Sequence, residues 1–135
     1  KKLRIGKGSI LRKGSDVAII ACGVMVSEAI RAAEELSKNG VEATVVDMHT
    51  IKPLDTELID ELVQECKGIV TAEDHSVIGG LGSAVSEHVS YRGGVPIRMV
   101  GVSDRFGESG EPGELMNLMG ITYGDIVDSC ESLLS

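Results

Sequence analysis

DVAIIACGVMVSEAIRAAEELSKNG, residues 16–40, reads as a strand, a turn and a helix in succession. DVAIIAC (16–22) is a continuous apolar run, the pattern of a strand buried on both faces rather than one that alternates between core and solvent. From Met25 to Asn39 the period changes to that of a helix. Val26, Ala29, Ile30, Ala33 and Leu36 fall on one stripe, with Glu28, Arg31, Glu34, Glu35 and Lys38 away from it. Asn39-Gly40 is a helix stop.

The same alternation continues toward the C-terminus. VEATVVDM (41–48) is the second strand. Asp55 is the N-cap of the next helix, with Glu57 in its first turn. Leu58, Ile59, Leu62, Val63 and Cys66 form that helix's apolar face, and Gly68 ends it. GIVTAED (68–74) is the third strand. Gly79, Gly80 and Gly82 form a turn into a helix that runs to about Tyr91, with Leu81, Ala84, Val85, His88 and Val89 on its stripe. Gly93-Gly94 stops it, and PIRMVGV (96–102) is the fourth strand. A short helix is expected over Pro112–Met119. A last one starts at Thr122, with Asp125 three residues on and Ile126, Val127, Cys130, Leu133 and Leu134 on its face. Toward the N-terminus, KGSILRKG (7–14) suits an exposed edge strand because of its basic residues. Strands separated by helical crossovers predict an α/β fold. Its expected form is a three-layer α/β/α sandwich around a mostly parallel sheet of about five strands, with one antiparallel edge strand.

Composition sets limits on function. The chain has 135 residues, 42% hydrophobic and only 2% aromatic, so the core is aliphatic. It reads as one domain over residues 1–135, with a basic linker or edge segment at 1–13. Base stacking on aromatic side chains is excluded, and a net charge of −8 argues against any nucleic-acid partner. No apolar run approaches the 18 residues that span a bilayer, so no membrane partner is expected. The N-terminus lacks the apolar stretch of a signal peptide. The chain opens on Lys1 rather than Met and is read as a portion of a longer polypeptide. Cys22, Cys66 and Cys130 stand at wide spacings among apolar neighbours, as free thiols do in a reducing cytoplasm. All six basic residues of the first 13 precede the first acid, so a basic arm leads into an acidic body. That arm is a solvated linker, a phosphate contact or a surface lying on acidic neighbours.

Ligands of open parallel sheets bind beyond the carboxyl ends of the strands. Those ends carry Cys22-Gly23, Asp47-Met48-His49, Glu73-Asp74-His75 and Ser103-Asp104-Arg105. Asp47 lies 24 residues beyond Gly23, at the distance of a ribose-binding acid, yet the first turn reads CGVMVS and lacks the three glycines that let a backbone approach a pyrophosphate. A nucleophile set of Cys22 with His49 or His75 and Asp47 or Asp74 has no spacing that demands it. Only Glu73 and His75 of their run share a strand face, too few for a metal. His88 reads as a hydrogen-bonded core histidine. The remaining candidate is the turn itself: His75, Ser76, Val77, Ile78, Gly79, Gly80 and Gly82. Its glycines either free backbone N–H groups for an anion or allow close packing against the sheet or another subunit.

The turn also carries a resemblance. AEDHSVIGGLGSAVSE (72–87) resembles the transketolase C-terminal domain. So do residues 6–36, the "KPLD" turn and helix in VVDMHTIKPLDTELI (45–59), and the closing segment GVSDRFGESGEPGELMNLMGITYGDIV (101–127), in the family's order. FGESGEP and GIT look most like the split form, made of two polypeptides. The last domains of 1-deoxyxylulose-5-phosphate synthase and of 2-oxoacid dehydrogenase beta subunits are related. The resemblance implies a cytoplasmic thiamine-diphosphate and Mg²⁺ enzyme of the pentose phosphate pathway that moves two-carbon ketol units between sugar phosphates. It assembles as a homodimer or heterotetramer. The family's cofactor motifs lie on upstream domains and none occurs here. The expectation is therefore no catalytic, cofactor-binding or metal residue on this chain, an inactive isolated domain, and a structural role in assembly. The alternatives are a small-anion or nucleotide regulatory module at the turn, or the equivalent domain of a 1-deoxyxylulose-5-phosphate synthase or a 2-oxoacid dehydrogenase beta subunit.

Overall fold

The fold is described from a computed structural model, over residues 6–76, 80–102 and 122–135. Five strands, β1 (Ser9–Arg12), β2 (Val17–Ala21), β3 (Ala43–Asp47), β4 (Ile69–Ser76) and β5 (Ile97–Val102), form one sheet in the order β1-β3-β2-β4-β5. Four helices are described: α1 (Met25–Lys38), α2 (Thr56–Glu65), α3 (Leu81–Arg92) and α4 (Tyr123–Leu134). The pairs β2–β3, β2–β4 and β4–β5 are parallel, and β1 runs antiparallel to β3 at the edge. The expected architecture and its antiparallel edge strand are thus present. The helix expected over Pro112–Met119 lies outside the described residues.

The uninterrupted apolar run has its explanation in the layers. All five residues of β2 are buried. Val17, Ile19 and Ala21 pack with α1 and α4 on one face, while Ala18 and Ile20 pack with α2 and α3 on the other. The same parity divides β3, where Val45 and Val46 face opposite layers. A strand covered on both faces has no position where a polar side chain reaches water.

Local signals set most boundaries. After α1, Gly40 takes φ +82°, its N–H donates to Ser37 O, and the Val41 N–H donates to Leu36 O. This paired return satisfies two carbonyls that the helix end leaves open. Asp55 caps α2 by accepting from the Leu58 N–H at 3.2 Å, as its position predicts. Asp125 returns to the N-cap of α4, accepting from the Thr122 N–H at 3.0 Å and its hydroxyl at 2.7 Å. At the edge, β1 holds one more residue than β3 opposite it, and the bulge leaves Leu11 exposed.

Three expectations change. Ile30 is exposed and Ala32 is buried, so α1 is rotated from its predicted stripe. The small Ala29, Ala32 and Ala33 form its inner face because α1 lies in the angle between the sheet and α4. Gly68 does not cap α2, which ends at Cys66 in extended conformation. A Cβ at Gly68 would collide with the Leu133 side chain, so this glycine admits α4 against the sheet. Finally, the described part of the basic arm lies on the domain's own acids. Lys7 pairs with Glu57 at 3.3 Å, Arg12 with Glu42 at 3.2 Å and Lys13 with Glu65 at 3.8 Å.

Candidate functional site

The crossovers leave β2 toward one edge and β4 toward the other, so the sheet's switch point lies between β2 and β4. Cys22 and Gly23 stand at the end of β2, and Glu73 and Asp74 near the end of β4. Gly23 has φ +63°, and a Cβ on it would lie 3.2 Å from Asp74 Oδ1. Only glycine fits that conformation so close to a carboxylate. Burial first, then Glu73, Asp74 and Asp47, push the Cys22 thiol up to about 11. A protonated thiol among acids is a poor nucleophile, and an acidic crevice repels phosphate.

Glu73 is the residue that sequence reasoning underrated. It is fully buried, and its two oxygens accept from the first N–H groups of α3, Leu81 N at 2.8 Å and Gly82 N at 2.7 Å. A strand carboxylate thus caps the helix from within the sheet, where the positive end of the helix dipole offsets the burial of charge. The available signal was an acid closing an apolar strand ahead of a glycine-opened helix. Gly82 completes the joint. A Cβ there would meet Met99 Sδ at 2.6 Å and Thr71 Oγ1 at 2.9 Å, so α3 approaches the sheet only because this position is glycine.

The predicted turn is placed in part. His75 and Ser76 end β4, Gly80 is the N-cap of α3 with φ −99° and ψ −151°, and Gly82 lies buried in its first turn. Val77, Ile78 and Gly79 lie outside the described residues. Beside the turn, between α3 and the 51–56 segment, runs an open groove of about 620 Å³. Ile51, Leu54, Gly80, Ala84, His88 and Tyr91 are among its lining residues. His88 is not a core residue: it is part-buried at the groove and meets Asp60 Oδ1 through Nε2 at 2.8 Å. Sequence reasoning did not unite the "KPLD" turn with this helix face. A residue at the end of an apolar stripe gives no sign of which loop packs beside it.

Among the described residues of the turn, two backbone donors are already taken. The Leu81 and Gly82 N–H groups at the start of α3 meet Glu73, and among the described residues no three of His, Cys, Asp and Glu are grouped to hold a metal ion.

Comparison with known proteins follows the same lines. A family model described as transketolase, C-terminal domain, matches residues 6–126. The 6-deoxy-6-sulfo-D-fructose transketolase subunit SqwH of Clostridium sp. (strain MSTE9) is 48% identical over 123 residues, 91% of this chain and 38% of that protein. A 1-deoxy-D-xylulose-5-phosphate synthase of Trichormus variabilis is 45% identical over 127 residues, 93% of this chain and 20% of that protein. A solved split gene transketolase, described as an inactive beta4 tetramer, superposes with a TM-score of 0.95 at 44% identity, over 99% of this chain and 44% of that one. Transketolase from Pichia stipitis shares the fold at a TM-score of 0.68 and 21% identity. The chain therefore spans less than half the length of these relatives. The match over residues 6–126, with the five-stranded sheet that carries it, places this chain in the transketolase C-terminal domain family.

Proposed function

We propose that this chain is the last domain of a split-type transketolase, a cytoplasmic enzyme that transfers two-carbon ketol units between sugar phosphates with thiamine diphosphate and Mg²⁺. The observation that carries the reading is the 48% identity to a sugar transketolase subunit across 91% of the chain. The structural likeness to a split gene transketolase supports it. Thiamine diphosphate supplies the carbanion chemistry of ketol transfer. Its site belongs to domains outside this chain, and the isolated domain is inactive. Three free thiols, two of them buried, agree with a reducing compartment.

The domain's own role is assembly with the catalytic domains or a partner subunit, in a dimer or heterotetramer. The segment from His75 to Gly82 is the contact. Glu73 favours this over anion binding, because its carboxylate already takes the Leu81 and Gly82 N–H groups. In the full-length protein, Gly80→Val impairs assembly more than it alters any small-molecule affinity. If that variant assembles normally yet loses a phosphate or nucleotide effect, the regulatory reading replaces this one. The activity is tested on the full-length protein with its partner polypeptide, thiamine diphosphate and Mg²⁺. Ketol transfer between sugar phosphates is expected. Condensation of pyruvate with glyceraldehyde 3-phosphate in its place would assign the protein to the synthase branch.

A further inference from the structure

We infer that Met99 is a site of modification by peroxides, and that the joint between β4, β5 and α3 is built to receive the product: the sulfoxide oxygen is held by the hydroxyls of Thr71 and Ser86.

The first observation is access. Of the methionines in the described residues, Met25 is 0% exposed and Met48 1%, whereas Met99 is 46% exposed. Met99 stands on β5, the edge strand at the opposite side of the sheet from β1. A dissolved oxidant reaches a thioether there and not in the core.

The second observation is a donor with nothing to give to. Thr71 is fully buried, and its hydroxyl has no hydrogen-bond partner. It lies directly across the β4–β5 ladder from Met99. Both side chains close on the same notch in α3, since a Cβ at Gly82 would meet Met99 Sδ at 2.6 Å and Thr71 Oγ1 at 2.9 Å. One turn further along that helix, the Ser86 hydroxyl donates to Met99 Sδ at 3.9 Å. A buried hydroxyl without a partner costs stability, and a thioether is only a weak acceptor. Packing alone is served equally well by a valine at position 71. Two hydroxyls gathered around one sulfur suit an oxygen placed on that sulfur.

The chemistry is an oxygen transfer. A lone pair of Sδ attacks one oxygen of a hydroperoxide and the O–O bond breaks. The S–O bond forms, and the proton passes to the departing oxygen, which leaves as water or an alcohol. The sulfur is oxidised and the peroxide is reduced by the same electron pair. The new oxygen is a strong acceptor and takes the Thr71 and Ser86 hydroxyls, so α3 keeps its seat on the sheet. The oxidised domain is a folded form with altered polarity at the edge of α3, not a damaged one.

The test treats the full-length protein, with its partner polypeptide, with hydrogen peroxide. Peptide mass spectrometry should find Met99 oxidised at least about tenfold faster than Met25 and Met48. Equal rates, or no oxidation at position 99, overturn the inference. Hydrogen exchange is then read in the peptide spanning Leu81–Arg92. Oxidation should leave its protection unchanged in the native protein. In Thr71→Val, oxidation should speed exchange there about tenfold, the weight of one buried hydrogen bond, while the unoxidised variant matches the native protein. Ser86→Ala, at a more accessible position, should show a smaller loss of the same kind. Met99→Leu should abolish every effect of peroxide on this peptide. If oxidation loosens α3 as much in the native protein as in Thr71→Val, or in neither, the hydroxyls do not receive the oxygen and the inference fails.

Discussion

Glu73 shows how a single side chain decides what a site can do. Its burial is tolerable only because two N–H groups and the start of α3 face it. Glu73→Gln keeps the shape but presents an amide NH₂ to one donor. It should destabilise the protein by about 1–3 kcal/mol in denaturant unfolding, and Glu73→Ala by at least as much, with the helix N–H groups left open. Full stability in both variants would show that the cap carries no weight. The cysteines make a second residue-scale case. Burial raises all three thiols, Cys130 to about 12 and Cys22 to about 11. At pH 8, Cys66 and Cys130 should resist a thiol reagent, and Cys22 should react about a hundredfold more slowly than an unperturbed thiol, two pKa units' worth of thiolate. Rapid labelling of all three would contradict their placement. The linkage has a definite sign. Because folding favours the protonated Cys130 thiol, its contribution is complete below the ordinary value of 9.0 and is lost as pH rises from there toward about 12. Cys130→Ala should therefore lose stability less steeply than the native protein in that range.

Among the elements, the joint between α4 and β4 is the most exacting. Leu133 lies where a side chain at position 68 would go. Gly68→Ala should cost about 1–3 kcal/mol by overpacking, and Leu133→Ala in the same chain should recover part of that loss. Additive losses in thermal unfolding would mean that the two residues do not meet. Elements were also where the sequence was most and least readable. Caps are local chemistry, so Asp55, Thr122 with Asp125, and Gly40 could be placed from a few neighbouring residues. The rotation of α1 could not. Ile30 and Ala32 are both apolar, and the one that turns inward is chosen by the room between α1, the sheet and α4. Gly68 reads as a helix stop in sequence because the distance to Leu133 is a tertiary fact. Glu73 was legible as an acid at a strand end, but its use as a helix cap depends on α3 folding back over β4. The groove was hidden for the same reason, since its two walls are separated by the whole of α2 and β4.

At the scale of the molecule, every described helix is spent on covering the sheet, α1 and α4 on one face and α2 and α3 on the other. The described carboxyl edge holds acids, a protonated thiol and a helix end already capped. The most direct measurement is a ketol-transfer assay run in parallel on the full-length protein with its partner and on residues 1–135 alone, both with thiamine diphosphate and Mg²⁺. The account predicts turnover by the former and none by the latter. Turnover by residues 1–135 alone would contradict it.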